Sequence, residues 1–288
     1  MSNTVEVLVV SYASDQVIER LLASLVTTLP EAPVAIREHA ADETHVAALE
    51  RLAAGHTAPV RVEHDPSNPG FGAGCNALAS ASNADFLVFL NPDTELVAWP
   101  WTEVNPPPTA TVIGPVMVDS GPPGEHYGRN FRIRDEIARS WLRRQPRPPD
   151  GHGYVSGAAM LIERAAFERL GGFDPGFFLF YEDIDLCLRA NEAGYPTIVE
   201  PDWSVRHARR HSTDERFGRA LTWSYKSAVR FYAKHGSSVR AYRAYVVVDG
   251  VLRTLWHGAH RNRVRAGEYA GLARRAALDA LRIDGSTP

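Results

Sequence analysis

The chain has two cysteines in 288 residues, Cys75 and Cys187, each in an apolar or glycine-rich stretch with no second cysteine nearby. That argues against a disulfide scaffold or a cysteine-based zinc site and fits a reducing compartment. No run approaches the roughly 18 apolar residues of a membrane span. The opening residues, MSNTVEVLVVSY, lack the basic start of a signal peptide, so the expected location is the cytoplasm. Two nucleotide signatures are also missing. A Walker loop needs GK[ST], which is absent. The glycines of Gly70-Phe-Gly-Ala-Gly74 have neither the spacing of a dinucleotide fingerprint nor its place after the first strand. Acidic residues are scarce in the last quarter: from Asp214 onward there are 14 Lys and Arg against 6 Asp and Glu, although the whole chain carries a net charge of -3. A basic tail of this kind faces anionic lipid, nucleic acid or a phosphorylated substrate, or is a solvated helical surface. Its aromatics fall on the apolar helical face rather than among the arginines, which argues against nucleic acid.

What is present is an alternation of short strands and helices. Strands are expected at Val5–Ser11, Val34–Glu38, Val60–Glu63 and Phe86–Leu90. Helices are expected at Asp15–Thr28, about Glu43–Ala54, and from the glycine-rich loop to about Ser82. This rhythm means βαβ units and a mostly parallel sheet in an α/β fold. Phe86–Leu90 is a continuous apolar run ended abruptly by Asn91-Pro92-Asp93. It reads as a strand covered on both faces, at the centre of the sheet. After Glu95 the rhythm breaks. Strands are expected at Thr111–Val118 and Tyr154–Ile162, with a Pro-, Gly- and Arg-rich segment over 119–153 between them that reads as a functional loop. A short helix at Ala165–Leu170, a helix at Glu182–Ala193, and short strands at Thr197–Glu200 and Ser204–His207 follow. Helices occupy the tail, dividing the chain at 1–212 and 213–288.

Three places carry chemistry. Asp93 ends the buried strand, where an acidic residue either caps a turn or holds a divalent cation through oxygen. The loop Asn68–Asn76 leads into a helix N-terminus, either as an ordinary turn or as a source of backbone N–H groups for a phosphate. Glu182-Asp183-Ile184-Asp185 opens a helix directly after the aromatic run Phe177–Tyr181. Acids in a first turn complement the helix dipole, and Asp185 has Arg189 at i+4. Apolar surroundings also raise a carboxylate pKa toward that of a general base. His207 ends a strand and is either a metal or phosphate contact or a partly buried structural histidine.

Taken together, the VSY strand end at Val10–Tyr12, the N-P-G-F-G-A-G-C-N loop, FLNPDTEL, VSGAAMLI and GGFDPGFFLFYEDIDLCLRANEAGY resemble glycosyltransferase family 2, in its rhamnosyltransferase-like branch. The resemblance implies an A-type nucleotide-sugar-binding fold over 1–212 and a helical extension over 213–288. It implies inverting transfer of a sugar, L-rhamnose among the candidates, from a dTDP- or UDP-sugar to a glycan, lipid-linked saccharide or natural-product acceptor. Ser11, Tyr12, Glu38, Gly70, Phe71, Gly74, Asn76 and Asn91 would line the donor side. Glu38 stands where the family usually has Asp, and would accept the N3–H of the base. Asp93 and His207 would hold Mg²⁺ or Mn²⁺ on the diphosphate. Asp183 would be the general base, with Glu182 as its neighbour.

The rivals are a sugar nucleotidyltransferase and a degenerate module that binds a nucleotide or glycan without turnover. The tail helices are expected to pack on the catalytic domain, on a second copy in a homodimer, or at the inner face of a membrane.

Overall fold

In chain order the elements are β1 Val5–Ser11, α1 Asp15–Thr28, β2 Val34–Glu38, α2 Glu43–Ala54, β3 Val60–His64, α3 Phe71–Ser80, β4 Phe86–Leu90, β5 Thr94–Ala98, β6 Val112–Val118, β7 Tyr127–Gly128, α4 Ile133–Leu142, β8 Asp150–Gly151, β9 Tyr154–Val155, β10 Ala159–Glu163, α5 Arg164–Arg169, α6 Glu182–Glu192, β11 Thr197–His207, α7 Phe217–Lys234, α8 Val239–Ala259 and α9 Arg263–Leu281. The computed structural model describes residues 4–102, 107–118, 126–128, 132–142, 150–207 and 217–281. Much of the expected loop over 119–153, and the stretch that follows His207, lie outside them. Contacts divide the chain into a unit of Met1–Phe131 with Gln145–His211 and a unit of Arg132–Arg144 with Ser212–Pro288. Among the described residues no helix is long and apolar enough to cross a membrane.

The first unit is built on one large sheet, in the order β3-β2-β1-β4-β10-β6-β11-β5, with β8 paired to β11. The strands β3, β2, β1, β4, β6 and β11 run one way; β10, β5 and β8 run against them. β4 is buried along all five residues, between β1 on one side and β10 on the other. Burying each of its large side chains contributes about 2 kcal/mol, so this run fixes the sheet's centre. α1 turns Ile18, Leu21, Leu22 and Leu25 inward at helical spacing. α2 starts at Asp42, whose side chain accepts the Thr44 N–H at 2.9 Å.

Four steps of pairing separate β4 from β5, about 19 Å in a flat sheet at ~4.8 Å per strand. Only Asn91, Pro92 and Asp93 connect the two strands. Four Cα–Cα steps reach ~14 Å at most. The sheet therefore bends back on itself beyond β4, and the tight crossing is the polar stretch at its carboxyl end. The sequence reading placed a turn here and no strand. β5 is a strand because β11 supplies it with a ladder, His207 opposite Thr94 and Arg206 opposite Glu95. Likewise β11 is one strand with a bulge between Glu200 and Ser204 rather than two short ones, because β6 pairs with it on both sides of the irregularity. Near this edge Trp99, Trp101 and Trp203 pack edge-to-face with centroids 4.7–5.6 Å apart, and Trp203 is fully buried. They belong to the core and form no open sugar platform.

In the second unit, α4 is a helix within the 119–153 segment that the sequence reads as a loop. It groups with α7, α8 and α9.

At the opposite edge, Arg37 on β2 bonds Glu63 at 2.6 Å and Asp65 at 2.8 Å. The Ser67 hydroxyl, at 2.5 Å, and then the Arg37 guanidinium hold the Asp65 carboxyl down at about 2. A carboxylate with a depressed folded pKa stabilises the fold above its unfolded value, and that contribution disappears as pH falls through the folded one. Asp65→Asn is therefore expected to lower stability near neutral pH by about 1 kcal/mol, with the deficit closing between about pH 4 and pH 2. Urea unfolding at a series of pH values measures it, and a pH-independent deficit would rule out this origin.

Candidate active site

The polar crossing after β4 meets the end of β11 because of strand register. His207 lies opposite Thr94, which sets it beside Asp93. The His207 Nε2 is 3.1 Å from Asp93 Oδ1. The His126 ring lies edge-to-face on His207 with centroids 5.4 Å apart, and His126 is buried. His126 was not singled out from the sequence. It sits in a segment with no periodicity, and only the pairing of β7 with β9 brings it here.

The second half of the site is held by the turn Ser156-Gly157-Ala158, where the sequence predicts unbroken strand. β9 ends at Val155 and β10 begins at Ala159. The turn bonds in three directions. Ser156 N–H donates to the His126 carbonyl at 2.8 Å, Asn91 N–H donates to the Ala158 carbonyl at 2.9 Å, and Gly157 N–H donates to Asp183 Oδ2 at 2.8 Å. One three-residue turn thus links the end of β4 to the start of α6. A Cβ at Gly157 would sit 3.3 Å from the Asp183 side chain and 3.2 Å from the Phe71 ring, so the close approach favours glycine.

α6 begins under backbone strain. Phe180 and Tyr181 both take left-handed conformations, with φ of 69° and 71°. Each costs about 1–2 kcal/mol in a non-glycine residue. The three acids then separate by environment. Asp185 is fully buried and accepts from Arg189 Nε at 2.8 Å; Arg189 also bonds the carbonyls of Leu170 and Gly172. It is structural, as the i+4 spacing predicts. Asp183 is partly exposed, with Oδ1 accepting its neighbour Ile184 N–H at 2.8 Å. Burial raises its pKa, against the pull of the Gly157 and Ile184 N–H groups. Glu182 is 4% exposed and its Oε2 has no hydrogen-bond partner. Burial, and then the Asp183 charge, push its pKa well up. Burial thus disfavours charge on both carboxyl groups, and more strongly on Glu182 than on Asp183.

The glycine-rich segment does not form an open phosphate cradle. The first N–H of α3, on Phe71, donates to the Phe178 carbonyl at 3.0 Å. Gly70 has φ of 105°, and a Cβ there would overlap the Phe178 carbonyl oxygen. A Cβ at Gly72 would lie 2.9 Å from Phe173 Cβ, and one at Gly74 would lie 2.8 Å from His39 Nε2. Asn76 faces inward: its amide donates to the Phe173 carbonyl at 2.7 Å and accepts the Phe173 N–H at 2.9 Å. Phe71 packs on Phe173, centroids 6.1 Å apart. These residues seat the segment that carries Glu182 and Asp183.

Glu38 also differs from its expected part as an open base acceptor. It is fully buried, and both oxygens are bonded, to Ser11 Oγ at 2.5 Å and to the N–H groups of Ala13 and Ala40 at 2.9 and 2.7 Å. It ties the end of β1 to the end of β2. Ser11 is buried by the same bond, while Tyr12 between the bonded residues is 44% exposed. Asn91 is partly exposed, at the crossing.

Asp93 and His207 offer an oxygen and an imidazole nitrogen side by side. Among the described residues no group of three or more such side chains converges. Two protein ligands suit a divalent cation that takes its other positions from diphosphate oxygens and water, so the residues present fit such an ion.

A family model described as "Glycosyltransferase like family 2" matches residues 3–226, and the chain belongs to that family. It is a glycosyltransferase with relatives in the rhamnosyltransferase branch. The N-acetylglucosaminyl-diphospho-decaprenol L-rhamnosyltransferase of Mycobacterium tuberculosis is 28% identical over 279 residues, covering 82% of this chain and 86% of that protein. Rhamnosyltransferase WbbL of Escherichia coli is 37% identical over 81 residues, 28% of this chain and 31% of that one. Among solved structures, the mannosyltransferase PcManGT of Pyrobaculum calidifontis, in complex with GDP-Man and Mn²⁺, matches with a TM-score of 0.59 at 17% identity over 99% of this chain and 89% of its own. GalNAc-T7 with UDP, GalNAc and Mn²⁺ gives a TM-score of 0.55 at 16% identity, over 72% of this chain and 44% of its own. The fold is thus the mixed α/β glycosyltransferase A type with C-terminal helices.

Because Gly70 touches Phe178, Gly70→Ala is expected to destabilise the protein by about 3 kcal/mol. Urea unfolding measures this. Unchanged stability with weakened nucleotide binding would instead make the loop a phosphate cradle.

Proposed function

We propose that the protein is an inverting glycosyltransferase that moves a deoxyhexose, L-rhamnose in the first instance, from a dTDP- or UDP-sugar to a hydroxyl of a saccharide carried on a lipid diphosphate. The observation that carries this reading is the two-sided site. A partly exposed, backbone-fixed Asp183 lies on one side of the Ser156–Ala158 turn and the Asp93–His207 pair on the other. The relatives' sugar and acceptor supply the substrate class.

Inversion needs an attacking oxygen opposite the leaving group, one base, and charge neutralisation at the departing diphosphate. Asp183 takes the proton of the acceptor hydroxyl as that oxygen bonds to the anomeric carbon. The bond from that carbon to the diphosphate oxygen breaks, and the electron pair leaves with the nucleotide. Its raised pKa makes Asp183 a stronger base than an ordinary carboxylate. Two N–H bonds hold its oxygens in place, which removes reorientation from the reaction step. Glu182 lies buried behind it and does not compete for the acceptor. Asp93 and His207 would hold Mg²⁺ or Mn²⁺, which when bound supplies positive charge to the diphosphate.

On the donor side, Tyr12 and the backbone around it receive the nucleotide, in a shape set by Glu38 and Ser11. Asn91 lies next to the diphosphate position. Gly70, Phe71, Gly74 and Asn76 act from behind, by seating the aromatic segment that precedes α6.

Asp183→Asn is expected to lower kcat by about 10³-fold while donor affinity stays within about threefold, since the base acts only in the reaction step. Asp93→Ala is expected to weaken donor binding by at least about tenfold when Mn²⁺ is present and to bind like the wild type in EDTA. Release of the nucleoside diphosphate from dTDP-rhamnose, with a lipid-linked N-acetylglucosamine acceptor, reads the first; calorimetry reads the second. Near-normal turnover by Asp183→Asn removes the base assignment, and pyrophosphate release from dTTP and rhamnose 1-phosphate, with no transfer from dTDP-rhamnose, would make the protein a nucleotidyltransferase.

A further inference from the structure

The second unit contains a helix turned inside out. Along α8 the residues Val248, Val251, Leu252, Leu255 and Trp256 are 47%, 47%, 51%, 65% and 58% exposed. Their spacing of three and four places them on one stripe, and exposed alanines continue it toward both ends of the helix. Apart from Arg240 at its start, the charged residues of α8 face the other way. Asp249 bonds Arg253 at 2.7 Å and accepts the Trp141 indole N–H at 2.8 Å, and Arg243 donates to the Asp279 carbonyl at 2.9 Å. A water-facing helix carries the reverse pattern. The apolar face runs most of a 21-residue helix, roughly 30 Å, well beyond the scattered apolar residues of an ordinary surface.

The charges around the stripe choose its occupant. Arg240 before it, Arg261 and Arg263 after it, and Arg274 and Arg275 on α9 are all exposed. The described carboxylates of α7–α9 are Asp249, Glu268 and Asp279, and none is exposed. Asp249 is paired with Arg253, and Asp279 accepts the Tyr225 hydroxyl at 3.1 Å. A second copy seated stripe to stripe would meet this charge with its own. Antiparallel, Arg240 would face Arg261 and Arg263; parallel, each arginine would face its equivalent. None of these three carboxylates stands ready to answer either arrangement. An anionic surface answers both features, taking the apolar stripe at the acyl boundary and the arginines at the headgroups.

We propose that the outer face of α8, from Val248 to Trp256 with the flanking Arg240, Arg261 and Arg263, docks on an anionic lipid bilayer. The helix lies in the plane of the interface, in keeping with the absence of a spanning helix among the described residues. The inference stands on the second unit alone and does not depend on the sugar chemistry.

Co-sedimentation of the full chain with phosphatidylcholine vesicles, with and without phosphatidylglycerol, tests it. The wild type is expected to bind the mixed vesicles at least about tenfold more tightly than the neutral ones, at about fivefold per engaged arginine. Leu252→Asp with Leu255→Asp is expected to abolish vesicle binding, and Arg261→Glu with Arg263→Glu to erase the preference for phosphatidylglycerol. Because these side chains are exposed, both double variants should keep the wild-type unfolding midpoint and sugar transfer to a soluble acceptor. A wild type that binds neither vesicle, or an aspartate variant that binds as well as wild type, overturns the proposal. A dimer seen by light scattering and broken by the aspartate pair, without vesicle binding, assigns the stripe to a second copy.

Discussion

Three residues must carry the chain from the centre of the sheet to its bent-back edge, and the site depends on that crossing. Asn91, Pro92 and Asp93 are too few to span a flat sheet, so β5 has to fold over and pair with β11. Once β11 takes that place, register alone brings His207 to Asp93. The same crossing leaves the Asn91 N–H pointing at the Ala158 carbonyl, and so anchors the turn that fixes Asp183. The Asp93–His207 pair and Asp183, from three distant stretches of sequence, are thus located by one short connection, with the apolar β4 as its fixed end.

A second principle is that glycine here means proximity. Gly70, Gly72 and Gly74 are small because Phe178, Phe173 and His39 press on them, and Gly157 because Asp183 and Phe71 do. Close contact lets backbone atoms position a carboxylate without flexible side chains as intermediaries. The strained pair Phe180 and Tyr181 is tolerated because that packing over-determines it.

Much of the first half was legible from residue order. β1 to β4 and their helices follow the apolar periodicity, which local physics sets. The candidate residues Asp93, Asp183 and His207 were visible too, because they stand at element ends where an apolar run stops. Their partners were not. β5 is too short and mixed in composition to announce itself without β11. The break at Ser156–Ala158 interrupts an apolar run that reads as one strand, and His126 lies in a segment whose only order comes from pairing with β9. Glu38 looked like an open ligand group because sequence does not show that Ser11, Ala13 and Ala40 occupy its oxygens. In the tail, periodicity revealed helices but not which face of α8 would be left outside.

The Asn76 clamp has a consequence for how the molecule assembles. Its two bonds to Phe173 join residues 97 positions apart, and closing a loop of that length costs about 4 kcal/mol of chain entropy before any contact returns it. The pairings of β1 with β2 and β2 with β3 join residues 27 and 26 positions apart, whereas β4 returns to β1 across 81. The ordering of folding events follows: the β1–β3 pairings come first, and the closures by β4 and by the segment around Phe173, each bridging more than 80 residues, come after. Mild denaturation should therefore release the Asn76–Phe173 clamp while β1–β3 are still paired.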